Sequence, residues 1–340
     1  MPDINLLLTL AVLIVFGIVA LWGTKRETGT SGFFSKDYTT FLKGVAAIVV
    51  IFVHFPTEYA NPLQDLTGSF AYVGVTVFFL VSAYGMCNSV YSNARYLSTF
   101  WRNRLVSLLI PNLLINIVFY SADWLAGMHP LLKMLYDINY YVVILLEFCL
   151  VFYIVMLFRD RFKKPAIAEY ILIGIVTASA VYRYFTDHVI PQGWCYERMG
   201  LVWGILLYRH RDKLLLWCRT RRVSKIIVFV AVSGILGVLY LKYKLVWFWG
   251  GFLLKIVLAL ALIVLITLMT YDRKFNRAIL SLGDNSYEIY LSHGFVMLIL
   301  AYLAPGLPGG VFIAATLAAT LIISYATHRL AKPLVRALRK

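Results

Sequence analysis

Leu42-Lys-Gly-Val-Ala-Ala-Ile-Val-Val-Ile-Phe-Val-His54 is an apolar run with one cation near its start and an imidazole at its end. At about 100° per residue, the steps from Lys43 to His54 make roughly three turns plus 20°, so one continuous helix would project both side chains from one face. At about 1.5 Å per residue they would stand roughly 16 Å apart along the axis, about half the apolar thickness of a bilayer. An ionisable group inside a membrane span is expensive and marks a functional site by default. Two on one stripe imply a path, with a cation near one surface and a titratable base deeper in.

The composition places that helix in a membrane. Hydrophobic residues make up 61% of the 340-residue chain and charged residues only 14%, whereas a soluble domain carries nearer 25% charge. Apolar stretches of about 20 residues predict an all-α polytopic protein with eleven spans: 5–23, 42–59, 69–88, 105–126, 140–158, 168–185, 199–208, 223–241, 245–270, 285–303 and 311–330. The seventh is short and is expected to begin earlier, near Trp194.

Most of the 32 Lys and Arg residues fall on one side of this arrangement, in segments around Lys25, Arg102, Arg161, Arg211, Arg273 and Arg329. The positive-inside rule then puts the amino terminus outside and the carboxyl terminus in the cytoplasm. Anionic headgroups account for the net charge of +16, so membrane lipids and not nucleic acid are the expected partner. Met1-Pro-Asp-Ile-Asn5 has no basic leader, and Lys25-Arg26 follow the first apolar run, which therefore reads as an anchor and not a cleaved signal. Residues 1–37 form that anchor with a polar linker, and 38–340 form one membrane domain with a basic tail. The four cysteines suggest no disulfide framework, and no metal-binding spacing links the histidines.

Several stretches share the order of a known family's motifs. Lys43 to His54 resembles the basic-residue, ten-spacer, histidine signature of membrane acyltransferase family 3. Gly74-Val-Thr-Val-Phe-Phe-Leu-Val-Ser-Ala-Tyr-Gly85 resembles that family's Gly-Val-x-x-Phe-Phe-x-x-Ser-Gly-Phe stretch. Phe100-Trp-Arg-Asn-Arg-Leu-Val-Ser-Leu-Leu-Ile-Pro111 resembles its Arg-rich lead into the third family helix, and Ser286-Tyr-Glu-Ile-Tyr-Leu-Ser-His293 its Ser-Tyr-x-Ile-Tyr-Leu-x-His run. Tyr325–Pro333 resembles its terminal segment. The resemblance covers about residues 38–335 and implies a ten-helix core preceded here by one added helix. It departs at Lys43, where many members carry Arg, at Ala83 in place of Gly, and at Ala331, where a terminal Glu is often found.

The resemblance implies an acyl-CoA-dependent O-acyltransferase in a bacterial plasma membrane. It would carry an acyl group, most simply acetyl, from cytoplasmic acyl-CoA to a hydroxyl of an extracytoplasmic or lipid-linked glycan. Such a transfer needs a base near the acceptor and donors for the developing oxyanion. His54 has the intrinsic pKa for the base or for a transient acyl carrier. Glu147 enters its span from outside and reaches a similar depth, and Glu58 stands about one turn above His54; either would orient it. Lys43, Arg102 and Arg104 are placed to hold the donor's phosphates. His293 lies mid-span with Glu288 below it, lining the same channel or bracing the bundle, while Arg198 and Glu197 flank the outer mouth, to meet an acceptor or to pair with each other. Gly200-x-x-x-Gly204 reads as a close helix contact, Trp194, Trp203, Trp247 and Trp249 as an interfacial belt, and His129, His188, His210 and His328 as solvated.

A transporter or flippase of a glycan or lipid-linked precursor remains the alternative, since midplane charges suit alternating access. Against it, the two halves show no visible repeat.

Overall fold

The computed structural model describes residues 4–26, 32–125, 132–162, 164, 166–187 and 194–339. His129, His188, Lys163 and Lys340 lie outside them. Helices α1 (Ile4–Leu21), α2 (Lys36–Ile51), α3 (Pro62–Ser69), α4 (Tyr72–Ser92), α5 (Phe100–Leu125), α6 (Lys133–Tyr136) and α7 (Tyr140–Leu157) make up the first half. They are followed by α8 (Ala166–Thr186), α9 (Met199–Arg219), α10 (Arg222–Tyr243), α11 (Leu254–Thr270), α12 (Arg277–Asp284), α13 (Ser286–Leu303) and α14 (Gly309–Arg339). The described strands are the two-residue pair β1 (Lys25–Arg26) and β2 (Arg273–Lys274), antiparallel with Lys25 opposite Lys274.

Nine helices among the described residues are long and apolar enough to cross a membrane, which makes the chain a multi-pass membrane protein. The two expected spans that fall short of that length or apolarity are the second and the seventh. α2 has 16 residues and stops at Ile51. The expected span to Tyr59 is interrupted because Pro56 has no N–H and pushes the residue before it out of the helical region; the chain resumes as a 3₁₀ turn at Thr57–Tyr59. α9 begins at Met199 rather than near Trp194, whose φ of 50° is left-handed. It runs on past Tyr208 through the charged stretch Arg209–Lys213, with a kink at His210. The ninth expected span, from Leu245, is also divided, with a π-helical turn at Trp249–Leu253 leading into α11.

Capping fixes where the short elements start. Ser35 Oγ accepts from the Tyr38 N–H at the start of α2. Asn61 Oδ1 accepts from Gln64 N–H at α3, with Pro62 at the first helical position. Asn276 Oδ1 accepts from Ile279 N–H at α12. Each satisfies an orphan donor that an apolar setting could not hydrate.

Glycine sets the closest helix contacts. A Cβ at Gly200 would stand 2.1 Å from Thr76 O and one at Gly204 2.3 Å from Leu80 O, so α9 lies directly on the backbone of α4. On the opposite flank of α2, a Cβ at Gly283 would meet Thr40 O at 1.9 Å, which brings α12 against the first turns of α2. α2 is thereby held between α4 and α12, with most of its residues buried.

These contacts predict that Gly204→Val lowers thermal stability, at about 1–3 kcal/mol for forced overpacking. Gly174→Val, where nothing lies within 4 Å of the new Cβ, leaves it nearly unchanged. Melting curves of both variants in detergent check this.

Candidate active site

His54 lies just beyond the last regular turn of α2, where the ladder tightens: Phe52 N–H reaches Val49 O and His54 N–H reaches Ile51 O. The freed carbonyl of Phe52 accepts from Gln64 Nε2 on α3, and Gly68 sits close over the same carbonyl. α3 thus seals the end of α2 and fixes the backbone that carries His54.

α13 supplies the partner. His293 is 5% exposed, and its Nε2 lies 3.2 Å from Nδ1 of His54, the two rings 4.8 Å apart and steeply tilted. Each imidazole also faces a carbonyl of its own helix. Nδ1 of His54 is 3.0 Å from Val50 O, and Nδ1 of His293 is 3.3 Å from Ile289 O. A carbonyl oxygen only accepts, so both Nδ1 atoms carry the proton in the neutral pair. His293 Nε2 is then an acceptor and shares the His54 Nδ1–H with Val50 O. By elimination, Nε2 of His54 keeps its lone pair. His54 is exposed, and that nitrogen has no partner among the described residues.

Aromatic rings wall the pair. Tyr290, one turn before His293, has its ring centroid 5.7 Å from the imidazole and packs at 5.1 Å on Tyr141, 6.1 Å on Phe78 and 6.5 Å on Trp194. Its residue is 6% exposed, and its hydroxyl has no hydrogen-bond partner among the described residues. Tyr141 continues the wall towards Arg104, which lies within electrostatic reach of its phenol. Arg104 donates to the Tyr96 hydroxyl at 2.8 Å and stands near Arg339. Lys43, half-buried on α2, is within electrostatic reach of Asp284 and Glu288. Arg102 is exposed on the first turn of α5.

Other sequence expectations land elsewhere. Both oxygens of Glu147 are engaged by arginines, Oε1 by Arg183 at 3.2 Å and Oε2 by Arg198 at 3.1 Å, so the group found beside His54 is His293 and not Glu147. Glu58 is exposed on the 3₁₀ turn, off the helix that was expected to stack it over His54. Arg198 also bonds Ser179, and it and Glu197 are buried rather than open at a mouth. His328 is no solvated loop residue: from α14 its Nδ1 bonds Oε1 of Glu288 at 3.0 Å. All four cysteines are free and buried. No group of three His, Cys, Asp or Glu side chains among the described residues could hold a metal ion.

The pairing of residues 239 positions apart has no sequence periodicity behind it. His293 itself stood out in the sequence, at the end of Ser286-Tyr-Glu-Ile-Tyr-Leu-Ser-His293, but nothing there named its partner.

The tautomer assignment is open to measurement. In protein labelled with ¹⁵N-histidine, His54 shows a protonated Nδ1 and an imine-type Nε2 at neutral pH; a protonated Nε2 would contradict the arrangement.

Two helices thus meet at an accessible imidazole inside a multi-pass bundle. A family model for the acyltransferase domain matches residues 36–329, a stretch that contains α2 through most of α14. No curated protein and no solved structure matches the chain. The chain belongs to acyltransferase family 3.

Proposed function

We propose that this membrane acyltransferase moves an acyl group, most simply acetyl, from cytoplasmic acyl-CoA to a hydroxyl of an extracytoplasmic or lipid-linked glycan, in a bacterial plasma membrane. One observation carries the reading: an exposed His54 whose Nδ1–H is held by Val50 O and His293, leaving Nε2 free to take a proton.

In this reading the acceptor hydroxyl attacks the thioester carbonyl while His54 Nε2 removes its proton. The imidazolium that forms donates a stronger Nδ1–H bond to His293 Nε2, which stays an acceptor because its own Nδ1–H faces Ile289 O. His293 is therefore a positioning residue, fixing ring and tautomer. The unpartnered hydroxyl of Tyr290 is the donor for the oxyanion. Collapse breaks the C–S bond, and the departing thiolate recovers the proton from Nε2. Lys43, Arg102 and Arg104 bind the donor's phosphates at the basic, cytoplasmic end, and the acceptor approaches from the other. Arg198, held by Glu147, braces the acceptor side.

The test is CoA release from acetyl-CoA by the full-length protein in lipid nanodiscs. His54→Ala lowers the rate on the order of 10²–10⁴-fold, and Tyr290→Phe about 10²–10³-fold, while acetyl-CoA binding persists in both. Absence of binding and of release in the wild type would overturn the reading and favour transport.

The phosphate role is tested separately. Lys43→Gln raises the donor KM about 10- to 100-fold, the value of losing one charged hydrogen bond at about 1.5–3 kcal/mol, and Lys43→Arg restores most of it. Equal KM for all three would remove Lys43 from the donor site.

A further inference from the structure

α1 lies outside the stretch that matches the family and is pinned to the bundle at both ends. At one end, Gly310 N–H donates to Asn5 Oδ1 and Asn61 Nδ2 donates to Thr9 Oγ1. At the other, Asn276 Nδ2 donates to Val19 O and Trp22 O, Arg273 reaches Thr24, and β1 pairs with β2. Between the pins Val12, Leu13 and Phe16 keep the helix in contact with the core. Beside these contacts a cavity of about 790 Å³ lies between α1 and parts of α12, α13 and α14, within the 300–1,000 Å³ usual for ligand sites.

Small side chains open this space, notably Ala11, Ala314 and Ala318. Its floor includes Ile48, Phe52 and Ile289. Phe52 is two residues from His54, and Ile289 O accepts from His293. The lining is apolar except toward the basic end, where Ser281, Asn285, Ser324 and Tyr325 contribute. Polar clasps at both ends fix the gap's width, so closure by the helix sliding inward would break them.

We propose that this slot holds the single hydrocarbon chain of the acyl acceptor, a membrane lipid whose polar head reaches His54 from the end away from the basic loops. The assignment rests on the acyltransferase reading above. The slot lies at membrane depth, which makes a hydrocarbon chain the ligand chemistry that matches its walls. Its floor is built from the same turns that carry the histidine pair, which ties that chain to the reaction site and not to the bilayer at large. α1 is then a substrate-binding element in place of a bare anchor.

The probe is an octadecyl glycoside with a mid-chain diazirine, compared at equal mole fraction with a phosphatidylcholine bearing the same chain, in nanodiscs of the full-length protein. Photolabelling of the glycoside concentrates in α1 and residues 311–325, at least about tenfold over phosphatidylcholine, the ratio that 1.4 kcal/mol of selective binding gives. Ala318→Phe abolishes that labelling, whereas Leu298→Phe, on an exposed face of α13, leaves both the labelling and CoA release without acceptor at the wild-type level. If Ala318→Phe does not fold, Ala314→Leu takes its place, and labelling of the wild type alone already decides. Equal labelling by the two lipids, or none in the slot, overturns the proposal. Selective labelling without His54-dependent CoA release overturns only the link to acyl transfer and marks failure of the acyltransferase reading itself.

Discussion

A helix that ends inside an apolar bundle must find partners for its last carbonyls, because no water is there to take them. That constraint falls on α2 at Ile51. Val50 O is met by the His54 side chain and Phe52 O by Gln64, so ending the helix and positioning the imidazole are one event. Had α2 continued as a regular helix, Val50 O would bind the backbone N–H of residue 54 and not its ring. α3, with its Asn61 cap and Pro62 start, exists at the right place to complete the closure.

The histidine pair follows from the same economy. A carboxylate next to His54 would fix its tautomer more strongly but would bury a charge beside an apolar wall, at a cost of several kcal/mol unless it is fully hydrogen-bonded. A second imidazole, itself fixed by Ile289 O, supplies an acceptor without a net charge. Three acidic groups in the bundle are paired elsewhere. Glu147 is answered by two arginines, Glu169 by Arg209 at 2.8 Å, and Glu288 by His328.

The membrane class, the run of spans and the motif residues could be read directly from the chain, because hydrophobic length and the position of charges are local properties. The break at Pro56 was written in the sequence too, but the apolar residues just before it, Ile51 to Val53 and Phe55, masked the stop. α9 was harder, since its first half packs on α4 through Gly200 and Gly204 while its second half carries Arg209–Lys213, whose charges break the apolar pattern. Partnership across the bundle was out of reach. That His54 meets His293 while Glu147 meets Arg198 depends on which faces α2, α7, α9 and α13 turn to one another, and apolar periodicity is silent when a helix is apolar all round.

The two-residue ladder that ties the end of α1 to α11 sets Lys25 opposite Lys274 and Arg26 opposite Arg273. Like charges facing across a ladder repel, and the acidic group bonded into this corner is Asp272, shared between Arg222 at 2.6 Å and Arg26 at 4.0 Å. Among the described residues, five cations meet one carboxylate at this corner, which leaves an excess of positive charge. Anionic headgroups of a surrounding leaflet would offset it within a Debye length. The strength of this joint would then be set by lipid composition and ionic strength as much as by its own backbone hydrogen bonds, and the first helix would be held most firmly where the surrounding surface is most acidic.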